Sequence, residues 1–217
     1  MTAKIVVLDY GLGNVRSVGN ALRLLGAAVD VSRDLATIDA ADGLVIPGVG
    51  AFPQAMQNLS EAALIEPIRD YMRSGRPVLG ICLGMQILFD RGTEFTSTDG
   101  LKLIPGVVDR IPIPAGEGRL PHIAWSAVKR PDSGRNVLLG NLAPEELRFY
   151  FVHSFAASTV PAQFVTGTAT YLGRSIVAAV ESGNVYGTQF HPEKSGPSGL
   201  KVLGNFISSC QRGEVHG

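Results

Sequence analysis

The stretch Gly80-Ile81-Cys82-Leu83-Gly84 constrains this chain more than any other. An apolar run, Val78 to Ile81, leads into it and reads as a buried strand. After it, Met85, Leu88 and Phe89 share one face of a predicted helix. A cysteine between two glycines at a strand-to-helix junction is the pattern of a nucleophile elbow, with Cys82 where hydrolases often carry serine. Glycine on either side lets the backbone turn where a Cβ would crowd neighbouring chain. The turn sets the sulfur at the sheet edge above a helix N-terminus, whose free N–H groups and dipole favour a thiolate. A cysteine among apolar residues is ordinarily a small core residue. Here the flanking glycines speak for chemistry, because a packing cysteine needs neither. The elbow still requires a base.

The preceding chain supplies a frame. Ile5-Val6-Val7-Leu8 is a continuous apolar run, as in a strand covered on both faces. A turn-rich loop, 9–14, follows, and Val15, Val18, Leu22 and Leu25 then recur at helical spacing up to a stop at Gly26. Gly11-Leu12-Gly13 lacks the rest of a dinucleotide fingerprint and no Walker lysine follows, so a tight β-to-α connection is the better reading than a phosphate loop. Strands are predicted at 28–31 and 43–46. A helix is predicted over 52–72, with irregularities near Pro53 and Pro67. The alternation predicts an α/β fold, a mostly parallel sheet with helices on both faces. Ligands of such sheets lie at the carboxyl ends of the strands. At that edge, the glycines of Pro47-Gly48-Val49-Gly50 can turn backbone N–H groups toward a reacting oxygen, making an oxyanion hole with an elbow N–H, that of Leu83.

From Leu101 the texture becomes β-rich. Short strands are expected at 104–111, 123–128, 148–152, 164–171, 176–181 and 185–189, with a surface loop at 112–119 and a hairpin turn at Gly183-Asn184. These are additional mixed or antiparallel strands. A closing helix at 198–211 carries Leu200, Leu203, Phe206 and Ile207 inward. No linker divides the chain, so residues 1–217 are expected to form a single domain.

Of the four histidines, His191 leaves a strand and precedes Pro192-Glu193, while His216 sits where disorder is expected. Residues two apart in extended chain point the same way, so Glu193 can orient His191 and favour its charged form. Cys82, His191 and Glu193 then form nucleophile, base and orienter. Nineteen basic residues against nineteen acidic ones leave no electrostatic footprint for nucleic acid or an anionic membrane. No apolar run nears the roughly 20 residues of a bilayer span, and the opening apolar stretch is too short for a signal segment. With two cysteines, one of them a nucleophile, no disulfide is expected and a reducing cytoplasm suits the chain.

The segments 80–86 and 189–195, Gly-Ile-Cys-Leu-Gly-Met-Gln and Gln-Phe-His-Pro-Glu-Lys-Ser, resemble the class I glutamine amidotransferases, whose fold is flavodoxin-like. Segments 9–18, 47–52 and 150–155 resemble one branch of them, the glutaminase subunits of imidazole glycerol phosphate synthase. The resemblance implies that Cys82 attacks the side-chain amide of L-glutamine, that His191 handles the protons, and that water releases glutamate from a thioester. It implies delivery of ammonia through a (β/α)₈ cyclase of the HisF type, which forms imidazole glycerol phosphate and an aminoimidazole carboxamide ribotide in histidine biosynthesis. No cofactor and no metal are implied. By position, Gly50 and Gln86 contact glutamine, Glu94 meets its α-ammonium, and His153, Ser154 and Phe155 hold its other end. The loop at Val49 and Gly50 is expected to rearrange before it donates well, so the lone subunit should hydrolyse glutamine poorly. Trp125 is a candidate anchor for the partner or else a core residue. Ala124 and Ser126 depart from the family's usual Gly-Trp-Asn, and Phe155 from its usual tyrosine. Three other readings stay open: the subunit of another synthase, such as one for anthranilate or para-aminobenzoate, a catalytically silent scaffold, and a free-standing cysteine peptidase or glutamyl hydrolase.

Overall fold

The computed structural model describes residues 2–113, 116, 118–131 and 134–211. His216 and parts of the 112–119 loop lie outside the described residues. β1 (Lys4–Leu8) is buried on both sides: Ile5 and Val7 enter one apolar layer, Val6 and Leu8 the other. α1 (Val15–Leu24) buries Val18 and Leu22 in the first layer, and Gly26, at φ +87°, ends it as predicted. β2 (Ala28–Ser32) and β3 (Gly43–Gly48) flank β1 on either side, each parallel to it.

Between β2 and β3 lies a short helix that the hydrophobic pattern did not announce, α2 (Leu35–Asp39). Its signal is a cap: the Asp34 carboxylate accepts from Thr37 N–H at 2.8 Å. The expected long helix is two, α3 (Phe52–Glu61) and α4 (Ile65–Arg73). The break falls at Ala63, at φ +52°, and not at either proline. Pro53 and Pro67 each sit in a first helical turn, where a missing N–H costs no intrahelical bond. After β4 (Val78–Cys82), the helix predicted through Phe89 is a single turn, α5 (Leu83–Gln86). The carbonyls of Ile87, Leu88 and Phe89 are taken instead by the backbone N–H groups of residues 101 to 104, so the helical ladder cannot continue.

β5 (Arg91–Gly92), β6 (Thr98–Asp99) and β7 (Val107–Arg110) begin a small second sheet. β8 (His122–Lys129) and β9 (Arg148–His153) pair antiparallel, and β10 (Phe155–Ser158) returns to β7. β11 (Val165–Tyr171), β12 (Arg174–Ser182) and β13 (Val185–Thr188) follow, then α6 (Gly196–Gln211). The Gly183-Asn184 turn joins β12 to β13 as expected, with positive φ at Gly183 alone. The main sheet has nine strands in the order β2-β1-β3-β4-β13-β12-β11-β8-β9. Its first five are parallel, in the flavodoxin-like order, and the rest extend it antiparallel. α1 and α6 cover one face, and α3 and α4 the other. Among the described residues no helix is long and apolar enough to cross a membrane, and Cys82 and Cys210 are both free and buried.

Candidate active site

Three neighbouring strands end at one point. In the parallel pair β3–β4, Gly48 lies opposite Cys82, so the Val49-Gly50 loop emerges beside the Cys82 sulfur. In the parallel pair β4–β13, Thr188 lies opposite Ile81, so His191 emerges on the other side of it. Register alone thus gathers loop, sulfur and imidazole at the carboxyl edge.

The elbow is tight. Cys82 sits at φ +56°, ψ −112°, a backbone state that an L side chain adopts only under constraint. The constraint is visible in the glycines. A Cβ on Gly84 would stand 1.7 Å from the Ile46 carbonyl oxygen, and one on Gly80 2.5 Å from that of Gly84. β3, β4 and α5 therefore touch backbone to backbone.

His191 is 2% exposed and its Nδ1 lies 2.9 Å from Glu193 Oε1. The contact is made through a 3₁₀ turn over Pro192–Lys194 rather than through the extended chain expected from the sequence. Burial acts to lower the pKa of His191, but the hydrogen bonds and negative charges of Cys82 and Glu193 outweigh it and raise it to about 9. Nε2 of His191 has no partner at good hydrogen-bond geometry among the described residues. The sulfur is near enough for its charge to be felt, and such catalytic contacts are often long before substrate binds. Ser195, which carried no expectation, holds the His191 backbone: its hydroxyl donates to the His191 carbonyl at 2.7 Å and accepts from Tyr150 N–H at 3.0 Å.

Beside the sulfur is a cleft of about 310 Å³ lined by Val49, Gly50, Cys82, Leu83, Gln86 and Glu94, and by His153, Ser154 and Phe155. Every residue that the sequence put forward for the oxyanion hole or for glutamine is on that lining. Pro121 and Val152 complete it. Glu94 is half-buried, and its carboxylate accepts from Phe52 N–H at 2.8 Å, which fixes it at the rim. The amide nitrogen of Gln86 is committed to the protein, donating to the Phe155 carbonyl at 2.9 Å and to Gln189 Oε1 at 3.0 Å. Trp125 lies outside the cleft on β8 and is 47% exposed, so it is no core residue; Ile123 beside it is 58% exposed.

Two buried histidines, His122 and His153, contact one another at 3.1 Å. Burial pushes the pKa of His153 down from 6.5 to about 4, against the pull of its bond to the Phe155 carbonyl, and burial lowers that of His122 too. A folded value below the unfolded one means stability that is present above about pH 6.5 and lost as pH falls toward 4. His191 has the opposite sign: its contribution is full below 6.5 and lost as pH rises through about 9. Urea unfolding should therefore show wild type losing up to about 3 kcal/mol between pH 7 and pH 4 through His153, with His153→Gln flattening that slope. Parallel slopes for the two proteins would contradict this assignment.

Residues 6–210 match the model of the family Glutamine amidotransferase class-I. The chain is 42% identical over 202 residues to the protein named imidazole glycerol phosphate synthase subunit HisH of Bacillus thuringiensis (strain Al Hakam), covering 93% of each chain. It is equally similar to the protein of that name from Bacillus anthracis. Among solved structures, PurLQS from Thermotoga maritima shares the fold at a TM-score of 0.72 and 20% identity, over 96% of this chain and 99% of that one.

Proposed function

The chain belongs to the class I glutamine amidotransferases, and on that premise we propose that it is the glutaminase subunit of an imidazole glycerol phosphate synthase, acting as one domain. It hydrolyses L-glutamine to glutamate and ammonia, and delivers the ammonia to a HisF-type cyclase. The observation that carries the reading is the convergence of Cys82, the His191–Glu193 pair and the lining of the cleft at one edge of the sheet.

The geometry supports the following roles. Glu193 holds Nδ1, so Nε2 faces the sulfur and takes its proton, giving a thiolate–imidazolium pair. The sulfur attacks the side-chain amide carbon of a glutamine seated between Gln86, Glu94 and the wall at 153–155. Oxygen charge develops toward the N–H groups of Leu83 and of the Val49-Gly50 loop. Gly50, at φ +116°, is the point about which that loop can change state. Collapse of the tetrahedral species expels ammonia as His191 returns its proton. Water, deprotonated by His191, then releases glutamate from the thioester.

The exposed pair Ile123 and Trp125, on the strand next to the cleft wall, supports a partner surface. Glutamate release should be slow for the chain alone and rise severalfold or more with a HisF-type cyclase and its nucleotide ligand bound. Trp125→Ala should keep the fold and the unstimulated rate but weaken the complex by about 2 kcal/mol, about 30-fold in Kd. Equal turnover with and without the cyclase, or unchanged affinity in the variant, would contradict the reading.

A further inference from the structure

The one-turn α5 leaves a question about the sulfur. A helix dipole needs length, and four residues supply little of it. Some other group must meet the charge that the sulfur acquires during the reaction, in a site where Cys82 is 6% exposed. The neighbour is Gln189, which is wholly buried and whose amide nitrogen stands 3.7 Å from Cys82 Sγ, within the range of an N–H···S hydrogen bond.

The orientation of that amide is fixed by a chain of bonds anchored on a backbone carbonyl, which can only accept. Phe155 O takes the Gln86 Nε2 proton at 2.9 Å. A second proton on the same nitrogen goes to Gln189 Oε1 at 3.0 Å. With its oxygen so held, Gln189 must turn its NH₂ to the sulfur. On the other side of the same carbonyl, His153 Nδ1 donates at 2.9 Å, so its Nε2 accepts from His122 Nδ1 at 3.1 Å, and His122 Nε2 accepts from Ser126 Oγ at 3.0 Å. Two series thus meet at the Phe155 carbonyl, one donating inward from Ser126 on β8 through the two histidines, the other starting at Gln86, which donates both to that carbonyl and, through Gln189, toward the sulfur.

We propose that Gln189 is a further catalytic residue of the glutaminase reaction, its amide N–H hydrogen-bonding the Cys82 sulfur whenever that sulfur carries charge. Gln86 and Phe155 O are the positioning groups that hold it there. A packing role does not account for the placement, since an apolar side chain fills a buried space without the cost of burying an amide. The bond is strongest to the thiolate and weakest to the neutral thioester, so it acts where the sulfur gains charge, on its deprotonation and on release of the acyl group, and not on glutamine affinity.

The inference rests on the proposed glutaminase function, and the test separates the two. Gln189→Leu and the isosteric Gln189→Glu are assayed in the complex with the cyclase for kcat and KM, and Cys82 alkylation by iodoacetamide is timed at pH 7. The expected result is a 10- to 100-fold fall in kcat, the size of one hydrogen bond to a charged group, with KM for glutamine little changed and alkylation slowed in step. Gln189→Glu keeps the volume, so it decides the matter should Gln189→Leu melt early. Unchanged kcat and alkylation, or a loss carried wholly by KM, would overturn the proposal and leave Gln189 as wall. A wild-type complex that hydrolyses no glutamine would sink the functional reading instead, while the alkylation ratio still reports on the Gln189–sulfur bond.

Discussion

Cys82→Ala is expected to abolish glutamine hydrolysis, with a fall in kcat of about 10⁴-fold or more, because the acyl intermediate forms on the Cys82 sulfur, the group paired with His191. Glutamine binding should survive, since the cleft lining keeps all its other members. Stability adds a second readout. Cys82 is held at φ +56°, and strain of that kind costs on the order of 1–3 kcal/mol. Alanine keeps the strain and glycine relieves it. Cys82→Gly should therefore be as inactive as Cys82→Ala yet more stable than wild type by about 1 kcal/mol. Residual turnover in Cys82→Ala would remove the thioester mechanism. Equal stability of the two variants would show that the elbow is not strained.

Gly84→Ala is expected to be the most damaging small substitution in the elbow. The added methyl would lie 1.7 Å from the Ile46 carbonyl oxygen, and no flexible side chain can yield there, only the backbone of β3. Parting β3 from α5 costs packing and also displaces the Val49-Gly50 loop from the sulfur. The expected loss is about 3 kcal/mol or more in urea unfolding, with activity lost even in the fraction that stays folded. Gly204→Ala is the control. It is a helix-interior glycine of α6 whose Cβ would meet nothing within 4 Å, so alanine there should stabilise by up to about 1 kcal/mol. If both variants unfold at the same urea concentration as wild type, the close approach of the two backbones is not what the elbow depends on.

What the sequence makes legible is local chemistry. Gly80 and Gly84 announce a backbone contact that the structure shows as a near collision, and Pro192 between His191 and Glu193 announces a stiff pairing. The two apolar layers follow from the alternation in Ile5-Val6-Val7-Leu8. What stays hidden is whatever depends on partners far apart in the chain. β13 joins the parallel strands beside β4 although eight strands intervene in sequence, and nothing in Val185–Thr188 states that neighbour. The helix predicted through Phe89 fails because residues 101 to 104 claim its carbonyls. Gln189 reads as part of a strand until Gln86 and Cys82, the latter 107 residues upstream of it, are placed around its amide. Ala63 carries no sign of the turn that divides α3 from α4, since alanine favours helix.

The central claim is that one sulfur, at the junction of β4 and α5, attacks glutamine with the help of an imidazole brought by β13. The direct test is to treat the complex with a diazoketone analogue of glutamine and map the modified peptide by mass spectrometry, with free glutamine as competitor. The account predicts a single adduct on Cys82, suppressed by glutamine, slowed strongly in His191→Asn and absent in Cys82→Ala. An adduct on Cys210, or labelling of Cys82 that proceeds at the same rate without His191, would contradict it.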